Sequence, residues 1–326
     1  AAAYVSEPLE MGLVLNTPFC ILRTFGKPSV ERLDFFSSEE ELDSVYTPQH
    51  KRDTISSSVR KTEPAMNVVI LILESFSREY SGFLNPDALT SHTPFLDSLM
   101  EYSLTCSRAY ANGRKSIDAV PSVLGSIPSL ELSFALTPYA LNRVEGLGNA
   151  LKKLGYRTAF FHGAPNGSLG LDGMSRHFGF DSFYGISEFG DRSHFDGYWG
   201  IWDEPFLQFF AKTLNTFEEP FAASVFTLSS HHPFIIPPGY EGVFPESSLP
   251  IQKCIRYSDN ALRLFFKESS KSSWYWNTLF VLVADHGTYS QDNPRYQSEI
   301  ESMAIPIIYY DPSLRAVSGG QVYDQY

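Results

Sequence analysis

Cysteine is nearly absent from this chain: three in 326 residues, Cys20, Cys106 and Cys254. So few, so far apart, they form no disulfide framework and match no close-spaced zinc pattern. They fit a reducing compartment, or an exported protein that does without disulfides. Positive charge is scarce as well. Against 37 acidic side chains stand 25 basic ones, a formal net charge of −12, which argues against nucleic-acid binding through a basic face. No apolar run reaches the roughly eighteen residues of a membrane span. There is no internal repeat, no low-complexity tract, no Walker-type Gly-Lys-Ser/Thr and no Gly-x-Ser-x-Gly elbow. What the chain does have is apolar mass. Hydrophobic residues make up 43% and aromatics 15%, enough for a large core, which excludes wholesale disorder. The length suits one large domain or two ordinary ones.

The start, Ala1-Ala2-Ala3-Tyr4, carries no initiator Met and no signal-peptide core, and the end, Gly319 to Tyr326, reads as cut mid-sequence. We expect a soluble piece of a longer protein. Residues 1–62 read as an N-terminal arm or linker packed on a catalytic domain at 63–326. Ser38-Glu39-Glu40-Glu41 has the spacing of a capping box and predicts a short helix. Ser56-Ser57-Ser58 and Lys61-Thr62-Glu63-Pro64 read as linker.

From Asn67 the character changes. Asn67-Val68-Val69-Ile70-Leu71-Ile72-Leu73 is a continuous apolar run rich in β-branched residues, as in a strand buried on both faces of a parallel sheet. Similar runs recur at Thr158–Phe161, Ala222–Leu228, Thr278–Ala284 and Ile305–Tyr310. Helical patterns lie between them, over Leu147–Leu154, Asp203–Leu214 and Gln252–Lys267. The last puts Cys254, Tyr257, Ala261 and Leu264 on one stripe. Alternating strands and helices predict an α/β fold, a largely parallel sheet with helices on both faces.

In such sheets ligands gather at the carboxyl ends of the strands. The predicted strand ends offer Glu74-Ser75, His162-Gly163, Ser229-Ser230-His231-His232 and Asp285-His286. One acidic strand end alone is ordinarily a cap or a solvated charge; several converging on one rim are not. Carboxylate with imidazole suits a divalent cation such as Zn²⁺ or Mn²⁺. Asn112-Gly113-Arg114-Lys115-Ser116 leads from a glycine turn into a helix-like segment. A Ser at a helix N-terminus, beside Arg114 and Lys115, sits where an anion is favoured. It reads either as a plain cap or as a nucleophile toward phosphorus or sulfur.

Taken in order, these motifs resemble the lipoteichoic acid synthase-like branch of the alkaline phosphatase and sulfatase superfamily. The resemblance runs from about Asn67 to Pro312. It rests on Asn67–Ser75, Asn112–Ser116, Phe161-His162-Gly163, Gly179-Phe180-Asp181, Trp199-Gly200-Ile201-Trp202-Asp203, Ser230-His231-His232-Pro233-Phe234, Ala284-Asp285-His286-Gly287 and Ile305–Tyr309. It implies an α/β/α sandwich. It implies one divalent metal, Mn²⁺ by family habit with Zn²⁺, Mg²⁺ or Ca²⁺ open, held by Glu74, Ser116, Asp285 and His286. Ser116 stands where the family has its Thr nucleophile. His231 and His162 match substrate-contacting histidines, with Arg114 and Lys115 as further anion contacts. The implied partners are a lipid phosphodiester donor and a glycan or lipid acceptor, at the outer face of a membrane reached through segments outside this chain. The family carries a Trp and an Arg shortly after the His162 position, whereas Asn166–Leu171 supplies neither. That leaves open a different head group, or Arg114 or Lys115 as the anion contact. The Cys/Ser-x-Pro-x-Arg signature of formylglycine sulfatases is missing at both Ser116 and Cys106. A hydrolase releasing product to water, and a non-catalytic binding domain, are the alternative readings.

Overall fold

The first central strand, β1 (Asn67–Leu73), covers the residues its apolar run predicts. Val69 to Leu73 are all buried, each contributing about 1.5–3 kcal/mol. Asn67 begins the strand fully buried because its amide is satisfied: Nδ2 donates to Glu219 at 2.8 Å and Oδ1 accepts the Phe221 N–H at 3.0 Å. The computed structural model describes residues 35–45, 65–86, 90–129, 132–289, 291–317 and 320–324, with isolated positions before residue 35. Cys20 and the expected linker segments at Ser56–Ser58 and Lys61–Pro64 lie outside the described residues. The predicted short helix is present as α1 (Glu39–Val45), with the Glu41 N–H on Ser38 Oγ at 3.3 Å.

The other strands are β2 (Leu104–Arg108), β3 (Arg157–His162), β4 (Ser182–Tyr184), β5 (Phe221–Phe226), β6 (Thr278–Ala284), β7 (Ile307–Tyr310) and β8 (Gln321–Asp324). They form one eight-stranded sheet in the order β4-β3-β5-β1-β6-β7-β2-β8. β1 pairs in parallel with β5 on one side and β6 on the other, and β3 pairs in parallel with β5. Only β7 runs against its neighbours, antiparallel to both β6 and β2. Two reversals restore the direction, so β1, β2, β3, β5 and β6 all point their carboxyl ends at one rim.

The helices are α2 (Pro94–Met100), α3 (Ser116–Gly125), α4 (Leu147–Lys152), α5 (Leu171–His177), α6 (Ile186–Phe189), α7 (Asp203–Leu214) and α8 (Pro250–Ser269). They pack in two groups, α2 and α7 against α8, and α4 and α5 against α3. The largely parallel α/β sandwich is thus as the sequence predicts, with local corrections. The β5 run stops at Phe226, two residues early, because the N–H groups of Leu228 and Ser229 are taken by the Asp203 carboxylate. The β7 run starts only at Ile307, after Pro306. Helix α4 ends at Lys152, leaving Leu154 71% exposed rather than on the core face. On α8 the buried stripe passes through Leu262, Phe265 and Phe266, with Leu264 at its edge.

Candidate active site

Each exit from the common rim delivers one functional side chain, and that of β6 delivers two. Glu74 follows β1, Asp285 and His286 follow β6, His162 ends β3, His231 lies on the turn after β5, and Ser116 opens α3 after β2. The loop before Ser116 is pinned by backbone bonds, Ala111 N–H to Met303 at 2.8 Å and Ile305 N–H to Ala109 at 3.0 Å. Glu74 is held on both sides by the β5 exit. Its N–H donates to Thr227 Oγ1 at 2.9 Å, and its carbonyl accepts the Ser230 hydroxyl at 2.5 Å. The next residue, Ser75, sits at a left-handed φ of 57°. That strain, of order 1–3 kcal/mol, aims its N–H at Asp285 Oδ1 (2.8 Å) and its hydroxyl at Glu74 Oε1 (2.7 Å).

The oxygen and nitrogen ligand atoms of Glu74, Asp285 and His286 lie within 4.8 Å of one another, all buried. The Ser116 hydroxyl joins them, donating to Glu74 Oε2 at 2.9 Å with His286 Nε2 3.3 Å away. His286 Nδ1 faces the Gly287 carbonyl at 2.6 Å and must be the protonated nitrogen there. In neutral His286, Nε2 therefore presents a lone pair. It lies 3.2 Å from Asp285 Oδ2, a buried oxygen with no hydrogen bond. Burial, with the Glu74 carboxylate next to it, pushes the Asp285 carboxyl well above the usual carboxylate range. Converging lone pairs with one hydroxyl among them fit a divalent cation better than any arrangement of neutral partners.

The two other predicted histidines share the pattern of His286. His162 Nδ1 donates to the Phe226 carbonyl at 3.1 Å, and His231 Nδ1 to the His232 carbonyl at 3.0 Å. Each ring thereby keeps Nε2 as its free polar edge. Burial lowers the His162 pKa, so that ring is neutral at pH 7. Ser116, His162, His231, His286, Arg114 and Lys115 all line a cavity of about 580 Å³, with Glu74 at its base. Arg114 turns its guanidinium to the Glu299 carbonyl at 2.9 Å, while Lys115 stays exposed. From the stretch Asn166–Leu171 the cavity wall takes Ser168 and Leu169. Cys106 and Cys254 are buried on β2 and α8 and line no part of the cavity.

Several contributors carry no role in the sequence reading. Trp199 packs on the His231 ring, centroids 4.2 Å apart, and Tyr289 closes the side near Arg114. Thr227, Ser230 and Asp203 brace the β5 exit. Trp199, Asp203 and Ser230 stand inside the motifs that carry the resemblance but have no role attached there, and Thr227 lies within the run predicted for β5.

A family model described as Sulfatase matches residues 66–326. The lipoteichoic acid synthase-like protein YvgJ of Bacillus subtilis is 28% identical over 242 residues, covering 72% of this chain and 39% of that protein. Lipoteichoic acid synthase 1 of the same organism is 26% identical over 288 residues, covering 81% and 43%. The chain thus spans about two fifths of the length of these relatives. The crystal structure of the lipoteichoic acid synthase LtaP from Listeria monocytogenes superposes with a TM-score of 0.67 at 23% identity, over 79% of this chain and 67% of that one. The chain belongs to the sulfatase family, in the lipoteichoic acid synthase-like branch of the alkaline phosphatase superfamily.

Proposed function

We propose that this chain is the catalytic domain of a metal-dependent phosphotransferase. It moves a phospho-head group, of phosphoglycerol or phosphoethanolamine type, from a lipid donor to a cell-envelope acceptor through a covalent Ser116 intermediate. The observation that carries this reading is the Ser116 hydroxyl between Glu74 Oε2 and His286 Nε2, at 2.9 and 3.3 Å. Glu74, Ser116, Asp285 and His286 would hold the metal, with Mn²⁺ the expected ion. Such an ion supplies Lewis-acid charge to a phosphoryl oxygen and makes the serine hydroxyl a competent nucleophile.

The chain's own residues do the rest. Ser116 Oγ hands its proton to Glu74 Oε2, which already accepts its hydrogen bond, and forms a bond to phosphorus as the bond from phosphorus to the lipid alcohol breaks. His231, in its imidazolium form, donates a proton from Nε2 to the departing oxygen. Neutral His162 orients a head-group hydroxyl through its free Nε2. An acceptor hydroxyl then passes its proton to His231 Nε2 and attacks phosphorus, while Ser116 departs and recovers its proton from Glu74 Oε2. The relatives' names support a lipid donor and an acceptor outside the membrane. Among the described residues no helix is long and apolar enough to cross a bilayer.

The test is incubation with Mn²⁺ and phosphatidylglycerol or phosphatidylethanolamine micelles, acid quench and peptide mass spectrometry. A head-group phosphate on the Ser116 peptide is expected, and none in Ser116→Ala. Turnover by Ser116→Ala at the wild-type rate would make water the nucleophile and overturn the transferase reading. Release of the head group to water alone, with an acceptor glycolipid present, would make the protein a phosphodiesterase.

A further inference from the structure

We infer that Asp203 is a positioning residue for His231, its carboxylate holding the turn after β5 in the shape that presents the imidazole to the cavity. The sheet's last bond at this exit is Thr227 N–H to the Ile72 carbonyl, 3.0 Å. Beyond it the chain leaves the ladder, and two N–H groups lose their strand partners. Asp203 takes both: Leu228 N–H donates to Oδ1 at 2.9 Å, and Ser229 N–H lies 3.2 and 3.3 Å from Oδ1 and Oδ2. Ser258 on α8 donates its hydroxyl to Oδ2 at 2.6 Å, and the Asp203 N–H returns a bond to Ser229 Oγ at 2.8 Å. With the side chain 2% exposed, no water competes for these bonds. Asp203 opens α7, yet its carboxylate spends none of its bonds on that helix, so it is not a helix cap.

The turn it grips has two products. The Ser230 hydroxyl reaches the Glu74 carbonyl, and His231 N–H closes on the Leu228 carbonyl at 3.1 Å, setting the imidazole over the cavity. The same segment steadies the ring itself. Trp199 packs on it, and Trp199 Nε1 donates at 2.6 Å to the His232 carbonyl that also fixes His231 Nδ1. Asp196 Oδ1 in turn gathers the N–H groups of Tyr198, Trp199 and Gly200 at 2.8, 2.7 and 3.1 Å. Asp203 lines no part of the cavity, so it touches no substrate and acts only through the turn. Its neutral replacement is a poor substitute. Asn offers one acceptor oxygen and turns an NH₂ toward groups that themselves donate.

The inference rests on the reading of His231 as a substrate-facing group, and its test has an arm that needs no turnover. Imidazole ¹⁵N NMR of the Mg²⁺-loaded chain, with the ring in its neutral form, should show His231 in the Nδ1–H tautomer. Asp203→Asn should mix the tautomers while the far-UV spectrum and cooperative melt are kept. In the transfer assay, Asp203→Asn should lower kcat on the order of 10²-fold, with KM changed less. It should cost nothing further when added to His231→Ala, because the two act as one unit. Unchanged His231 resonances, or losses that multiply in the double variant, would overturn the assignment. Should Asp203→Asn fail to fold, Ser258→Ala, which removes one donor to Oδ2, must show the same non-additivity at smaller amplitude; simple additivity there also overturns it. If the chain transfers no head group at all, the tautomer measurement still decides.

Discussion

Asp285 ties the ends of two parallel strands together: its Oδ1 accepts the Ser75 N–H at 2.8 Å, while its Oδ2 stays buried without a hydrogen bond, facing His286 Nε2 at 3.2 Å. One oxygen builds the site and the other is left for a cation. Without a cation the site is a liability, because two buried carboxylates stand side by side.

That liability has a measurable sign. A carboxyl whose folded pKa is raised adds stability below its ordinary pKa of 3.8 and loses it as pH climbs through the folded value. In EDTA, the wild-type chain should melt at progressively lower temperature as pH rises from about 4 toward neutrality. Asp285→Asn should flatten that slope and melt higher than wild type at pH 7. With Mn²⁺ at a hundred times its Kd the order should reverse, since binding adds about 2.7 kcal/mol to wild type and little to a variant lacking a ligand. Paired melting curves in EDTA and Mn²⁺ check both halves. A variant less stable than wild type in EDTA would mean that Oδ2 is not an orphaned ligand.

Close backbone packing beside the cavity predicts a second outcome. A Cβ on Gly200 would stand 2.4 Å from the Gly163 carbonyl oxygen and 2.9 Å from Ala164 Cα, atoms that cannot swing aside. Gly200→Ala should therefore cost about 1–3 kcal/mol. It should also disturb both neighbours of the contact, His162 before Gly163 and Trp199 before Gly200. Melting temperature reads the first effect, and the near-ultraviolet circular dichroism of Trp199, compared with Trp199→Phe, reads the second.

His162 and its carbonyl partner predict a third. Burial holds its pKa below the ordinary 6.5, so it is uncharged across the physiological range. Its Nε2 can only accept a hydrogen bond. His162→Leu should lower kcat/KM about tenfold, the equivalent of one hydrogen bond of about 1.5 kcal/mol. His162→Gln, which keeps an acceptor, should recover most of it. Neither should remove an inflection from the pH profile between about pH 6.5 and 8, where His162 does not titrate. Loss of an inflection in His162→Gln would assign that proton to His162 and contradict a neutral role.

The sequence makes the frame of this site legible for a physical reason. Strands buried on both faces are written as unbroken apolar runs, and those of β1 and β6 coincide with the observed strands residue for residue. The residue after such a run lies on the rim, so Glu74, Asp285 and His286 are found by counting. Short edge strands such as β4, half-buried at every position, carry no such run and are not legible. Nor is the reversed direction of β7, since direction is set by the chain's path and not by composition. Braces of the site are hidden for a different reason. Asp203 reads as one more acid at the start of a helix, and only the folded chain shows its carboxylate turned toward residues 25 and 26 positions away. The tautomers of His162, His231 and His286 are likewise set by backbone carbonyls that no motif records.

The last expectation concerns the hydroxyl itself. Ser116 is the first residue of α3, with Lys115 as its cap, and its Oγ is the hydrogen-bond donor facing the lone pairs of Glu74 and His286. A β-branched residue is tolerated at a helix start, where no preceding turn crowds it. Ser116→Thr places the same hydroxyl at the same distance from both partners and adds one methyl at a half-buried position open to the cavity. It should keep transfer activity to within about tenfold, a cost no larger than the ~1.4 kcal/mol of a modest misfit. Ser116→Ala should lose transfer by at least about 10³-fold, because the covalent route is gone, while Mn²⁺ binding weakens less than in Asp285→Asn. Steady-state transfer rates for the three proteins at saturating Mn²⁺, set beside Mn²⁺ titrations of each, separate loss of nucleophile from loss of metal. If Ser116→Thr is as inactive as Ser116→Ala but binds Mn²⁺ normally, the hydroxyl must lie within tenths of an ångström of its place in wild type. If both variants remain active, the nucleophile is not on residue 116.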